Sequence, residues 1–218
     1  MNPHAGLESL PLSRSLCFGR FTSLLITNME TLVAICIGHS RSVNGRIEGG
    51  AISVGGESEW SYNRQLSEMI VDELGKRAID TVEISKYNGT SYGSAQRWLA
   101  QTLKDHKATI AIELHFNSSD DPKANGHEWL YWHNSSNGNV LAKSLSDKMR
   151  STVGEIKQRG IKPRFQGDRG SEFLQKTHCP AVICEVGFGS NRGDWDVMVA
   201  KKIQIAGAIA HGVMDYLD

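Results

Sequence analysis

Three polar side chains stand where apolar runs stop: His39 after "LVAICIG", His115 in "TIAIELHFN" and Glu185 in "AVICEVGF". A fourth, Glu59, opens a helical pattern after a glycine-rich stretch. Two histidines and one carboxylate are the ligand set of a catalytic zinc site, which keeps its fourth position for water; a further carboxylate nearby would act on that water. Each residue alone has a plainer reading. A histidine at a strand end is commonly a hydrogen-bonded structural residue, and a carboxylate at a helix start is favoured by the helix dipole without any metal.

The element that must position His115 is residues 109–118, "TIAIELHFNS". Strand side chains alternate between faces, so Ala111, Glu113, His115 and Asn117 share one face and Ile110, Ile112, Leu114 and Phe116 the other. A strand with one wholly apolar face and one polar face fits a core strand that also forms the wall of a site. Residues 32–37, "LVAICI", read as a strand buried on both faces, as do residues 180–188, "PAVICEVGF". Shorter strands are expected over 81–87 and 126–132. Helical spacing appears over 59–78, over 94–106, around Val140 to Val153 and over 194–217.

Strands alternating with helices predict a single-domain α/β fold, a three-layer sandwich with a mostly parallel twisted sheet flanked by helices, of the phosphorylase/hydrolase-like kind. In open sheets of this type ligands bind beyond the carboxyl ends of the strands, where His39, His115 and Glu185 would converge. Residues 40–58 hold Gly45, Gly49, Gly50, Gly55 and Gly56 and predict a long loop, and residues 160–170 a second, solvated one.

Composition narrows the function classes. With Lys+Arg and Asp+Glu equal at 24 each in 218 residues, no basic field is available for nucleic acid or an anionic membrane. No stretch approaches the roughly 20 apolar residues of a membrane helix, so no membrane anchor is expected. Cys17, Cys36, Cys179 and Cys184 form no CxxC pair and suit a reducing compartment better than a disulfide framework. Residues 1–28 lack the pattern of a secretory signal and are expected to be an irregular extension, with "METLVAICIGH" from Met29 reading as a natural beginning.

The ordered set of "GH" after a strand, "EWSYN" opening a helix, "HFNS" closing a strand, "GHE", and "CEVGFGSN" before the last helix resembles the zinc-dependent N-acetylmuramoyl-L-alanine amidases of the type 3 family. The resemblance covers residues 31 to 217 and marks 29–218 as the catalytic domain. It implies His39, Glu59 and His115 as ligands of one zinc ion, Glu185 as the catalytic glutamate and Asn117 as a residue lining the site. The implied substrate is peptidoglycan, cleaved between N-acetylmuramic acid and L-alanine. Glu57 competes with Glu59 as ligand; Asn63 and Leu66 follow Glu59 at the family's spacing.

One departure stands out. The family usually has Ser where this chain has Glu113. Glu113 either accepts a hydrogen bond from His115, adds a carboxylate to the cleft, or forms a buried ion pair with an Arg or Lys. His127, His133 and His178 are candidates for substrate contact, with surface or turn positions as the default. Lys162, Arg164 and Arg169 are candidates to meet stem-peptide carboxylates.

The absent signal pattern fits an endolysin held in the cytoplasm until its release to the wall. The rivals are a related zinc carboxypeptidase, which needs a basic clamp for a terminal carboxylate, and a non-catalytic wall-binding module, which has no use for Glu185. The oligomeric state is left open.

Overall fold

Strand β1 (Leu32–Ile37) is apolar throughout because it is an interior strand of a sheet covered on both sides, and Val33 to Ile37 are fully buried. The computed structural model describes residues 31–218; the expected extension over 1–28 lies outside the described residues. After β1 come a two-residue hairpin, β2 (Ser42–Val43) and β3 (Arg46–Ile47), then α1 (Glu59–Gly75), β4 (Asp80–Ile84), α2 (Tyr92–Asp105) and β5 (Ile110–Asn117). They are followed by β6 (His127–Trp132), α3 (Ser136–Thr152), β7 (Gln158–Arg164), α4 (Ser171–Lys176), β8 (Ala181–Phe188), α5 (Arg192–Ala200) and α6 (Lys202–Leu217).

The main sheet has the order β4-β1-β5-β8-β6-β7. All neighbouring pairs are parallel except β6 with β8. The sheet is therefore mostly parallel, as expected, with β6 and β7 running against the rest.

Side-chain alternation sends Val33, Ile35, Ile112, Leu114, Val182 and Cys184 to one face, where they pack with residues of α1, α3 and α6. Ala34, Cys36, Ala111, Leu130 and Ile183 go to the other, beneath α2 and α4. The helices of the β1-α1-β4 and β4-α2-β5 crossovers thus lie on opposite faces, as right-handed connections running in opposite directions along a sheet require. The connections leaving β1 and β5 run in opposite directions, so the crevice between their carboxyl ends is the place where such sheets bind ligands.

Three elements differ from expectation. Residues 160–170 were expected as a loop, but 158–164 form edge strand β7, whose "QRGIKPR" has no apolar alternation because the edge is half exposed. Pro163 sits there without cost to an interior ladder. Residues 165–170 form a loop, as expected, and helix α4 follows it. The helix expected over 194–217 is two helices bent by 79°, broken at Lys201, which leaves helical geometry at φ −116° and ψ 24°. Among the described residues no single helix is long and apolar enough to cross a membrane.

Candidate metal centre and active-site cleft

Each member of the His39, Glu59, His115 group is delivered by a different element. His39 follows β1 with φ 57°, a left-handed conformation that is strained for a residue with a side chain and persists when the surroundings enforce it. His115 lies on β5, on the same face as Glu113, beside β1. Glu59 is the first residue of α1, where Ser58 caps the helix by accepting from Ser61 N–H.

The glycines explain how two imidazoles fit into so small a space. A Cβ at Gly38 would stand 2.2 Å from the His115 ring, and one at Gly50 would stand 2.7 Å from Glu59 Oε2 and 2.8 Å from the His39 ring.

The Glu59 carboxylate is 1% exposed and held from two sides. Oε1 accepts from Phe116 N–H at 3.1 Å and Oε2 from Ala51 N–H at 3.2 Å. His115 Nδ1 lies 2.9 Å from Oε1 and His39 Nε2 lies 3.4 Å from Oε2. His39 Nε2 is nevertheless buried without a hydrogen bond among the described residues. Zinc bonds of about 2.0–2.2 Å in tetrahedral array put neighbouring donors about 3.3 Å apart, the scale of these separations. One donor atom from each of the three residues lies within 4.8 Å of the others.

Charge makes the same point. Glu113 and Glu185 line one cleft and Glu59 is buried behind its two histidines, and among the described residues no Lys or Arg forms an ion pair with any of the three. Buried carboxylates require compensation, and a dication supplies it where two imidazoles do not suffice. Burial drives the His39 pKa down and favours the neutral ring that a metal needs. Burial also opposes charging His115, but the hydrogen-bonding carboxylates Glu113 and Glu59 outweigh it and hold its pKa well above the ordinary value. For Glu59 burial is outweighed by His115, His39 and the Ala51 N–H, which keep it ionised.

Glu185 comes from β8, level with His115 across the parallel pair. It is 7% exposed, burial pushes its pKa up to about 7, and its Oε2 has no partner among the described residues. That combination is suited to accepting a proton near neutrality. Glu113, Asn117, Glu128, Arg164, Arg169 and Gln96 join these residues around a cleft of about 520 Å³.

Glu57, the rival ligand, points elsewhere: it accepts from Ser61 Oγ and Gln65 Nε2. The ion pair considered for Glu113 does not form. Among the described residues it is partnered by Tyr87 Oη and His115, with no Lys or Arg. Tyr87 reaches the site from the segment after β4, and no sequence signal marked it. His127 is not a surface or turn residue but fully buried, with Nδ1 accepting from Trp129 Nε1 at 2.8 Å. His133 stacks against Phe165, and His178 is exposed outside the cleft. Lys162 does not meet the cleft freely; it pairs with Glu128 at 2.7 Å. Arg164 and Arg169 do line the cleft, and Arg164 Nε is without a partner among the described residues.

Comparison with known proteins adds independent findings. Residues 33–215 match the profile of the N-acetylmuramoyl-L-alanine amidase family. No curated protein matches the chain. Among solved structures, the amidase AmiC2 of Nostoc punctiforme is 24% identical, covers 86% of this chain and 97% of its own, and has a TM-score of 0.71. The catalytic domain of the amidase CwlV of Bacillus (Paenibacillus) polymyxa is 22% identical with a TM-score of 0.72, over 86% of this chain and 98% of its own. The catalytic domain of the CD27L endolysin, targeting Clostridia difficile, is 25% identical with a TM-score of 0.70, over 85% and 97%.

Proposed function

We propose that this chain, which belongs to the N-acetylmuramoyl-L-alanine amidase family, holds one zinc ion through His39, Glu59 and His115 and uses Glu185 as its proton carrier. As a family member it is an enzyme that hydrolyses an amide bond of peptidoglycan. The observation that carries the site assignment is the convergence of His39, Glu59 and His115, with donor atoms within 4.8 Å, beside a carboxylate raised to about pH 7.

A bound zinc ion would polarise the scissile carbonyl and acidify water to a pKa of about 7. Glu185 takes the proton of the attacking water and gives it to the departing amine of L-alanine, returning to its carboxylate form. Glu59 is fixed by Phe116 N–H and Ala51 N–H, so its carboxylate does not reorient during turnover. Asn117 lines the cleft and its buried Nδ2 has no partner among the described residues, which leaves it free as a donor for a substrate carbonyl. Arg164 and Arg169 are suited to carboxylates of the stem peptide. The setting we infer is lytic, with protein held in the cytoplasm and then released to the wall, supported by the likeness to an endolysin catalytic domain.

A soluble muramoyl tripeptide tests this reading. The expected products are free N-acetylmuramic acid and a peptide beginning with L-alanine, lost on chelation and restored by zinc. Trimming of the peptide from its carboxyl end, with the muramoyl amide intact, would instead identify a carboxypeptidase.

A further inference from the structure

Glu113 has no place in the hydrolysis derived above, yet it is 2% exposed and its environment is built rather than incidental. A carboxylate this deep must be matched by donors or cations. Its two oxygens have separate partners: Oε1 accepts from the Tyr87 hydroxyl at 3.1 Å, and Oε2 lies 3.3 Å from His115 Nε2. Tyr87 is itself 2% exposed, so its hydroxyl is not shared with bulk water.

The His115 ring is therefore bracketed. Nδ1 faces Glu59, and through it the group with His39, while Nε2 faces Glu113. The Gly38 backbone closes one side of the ring, so closely that a Cβ there would stand 2.2 Å from it. A neutral imidazole carries one proton. With Nε2–H donated to Glu113, the lone pair falls on Nδ1, which is the nitrogen beside the other donor atoms.

We infer that Glu113 is a positioning residue which, held by Tyr87, accepts the Nε2–H of His115 and so selects Nδ1 as the metal-binding nitrogen and strengthens it as a donor. This rests on the metal-site reading above and deepens it. A carboxylate does more here than a neutral acceptor: it draws the Nε2 proton toward itself and leaves the ring more electron-rich, an effect of ligand partners that changes metal affinity by 10–100-fold.

The direct test uses the intact protein with 15N-labelled histidine, loaded with zinc, in long-range 1H–15N correlation spectra. His115 is expected to carry its proton on Nε2, with Nδ1 shifted by the metal; a proton on Nδ1 would overturn the inference. In parallel, zinc affinity is measured by competition with a chromophoric chelator. Glu113→Gln is expected to weaken zinc about 10–100-fold and Tyr87→Phe by a smaller factor, with cobalt-substituted visible spectra altered in both. An affinity for Glu113→Gln within twofold of the parent would also overturn it. His115→Ala separates the two readings: zinc binding that survives that change refutes the metal site itself, whatever Glu113 does.

Discussion

Glu128 and Glu185 stand directly opposite one another across the antiparallel β6–β8 pair, and their surroundings are opposite in kind. Arg159 Nε and Lys162 Nζ each lie 2.7 Å from Glu128 Oε2. Burial favours protonating Glu128, but those two cations outweigh it and lower its pKa, whereas for Glu185 burial, aided by the nearby Glu59 and Glu128 charges, outweighs His115 and Arg169 and lifts it to about 7. Two neighbouring carboxylates pushed apart in this way take different roles. Glu128 is held as an anion, while Glu185 has the pKa that its proposed role as proton carrier requires.

Glu185→Gln should therefore lower turnover by about 10²–10⁴-fold, the usual contribution of a general base, while zinc content stays at one per chain. Glu128→Gln should cost far less, within about tenfold, because Glu128 carries no proton in the reaction. Rates on a muramoyl peptide with metal analysis check both, and equal losses in the two variants would contradict the division of labour.

Glu59 links both imidazoles, so Glu59→Gln should abolish stabilisation by zinc. Zinc at 100 times its Kd adds about 2.7 kcal/mol to the parent protein, a rise of roughly 5–10 °C in Tm for a chain of this size. Thermal unfolding with and without zinc reads this directly. The variant should give no rise, and a full rise would remove Glu59 from the site.

The close approach of Gly38 to His115 makes Gly38→Ala a sensitive probe, since a Cβ would stand 2.2 Å from the ring. Overpacking of this kind costs about 1–3 kcal/mol. His115 must move, so zinc affinity should fall more than tenfold. Denaturant midpoints and chelator competition measure the two effects; an unchanged affinity would mean that the ring has room.

His127 sets an acid limit away from the cleft. Burial holds its pKa at about 4, against an ordinary value of about 6.5. Its Nδ1 accepts from Trp129, so protonation would place two donors face to face. The folded pKa lies below the unfolded one, so this stability is present above about pH 6.5 and is lost as pH falls toward 4, roughly 3 kcal/mol in all. Urea midpoints should drop over that window, and less steeply in His127→Gln, which keeps an acceptor for Trp129 but does not titrate there. Parallel pH profiles in both proteins would contradict this.

Much of the scaffold was legible because its central strands are buried on both faces. "LVAICI" and "AVICEVGF" read as strands by their short length and bounding glycines, and they bring His39, just past one strand, and Glu185, inside the other, to one crevice. Strand β7 was not legible: on an edge, "QRGIKPR" needs no apolar alternation, and with it were lost the cations that bind Glu128. The partner of Glu113 was hidden for a related reason, because Tyr87 arrives through an isolated bridge to Arg41 rather than through a regular element. The burial of His127 likewise depends on Trp129 and the packing around it, not on local sequence.

The most direct test of the central claim is digestion of purified bacterial sacculi, with zinc and with a chelator, followed by analysis of the ends created. Release of L-alanine amino termini that chelation abolishes, and that Glu185→Gln fails to produce, is the predicted result. New reducing sugar ends, or amino termini that appear equally in the presence of the chelator, would contradict it.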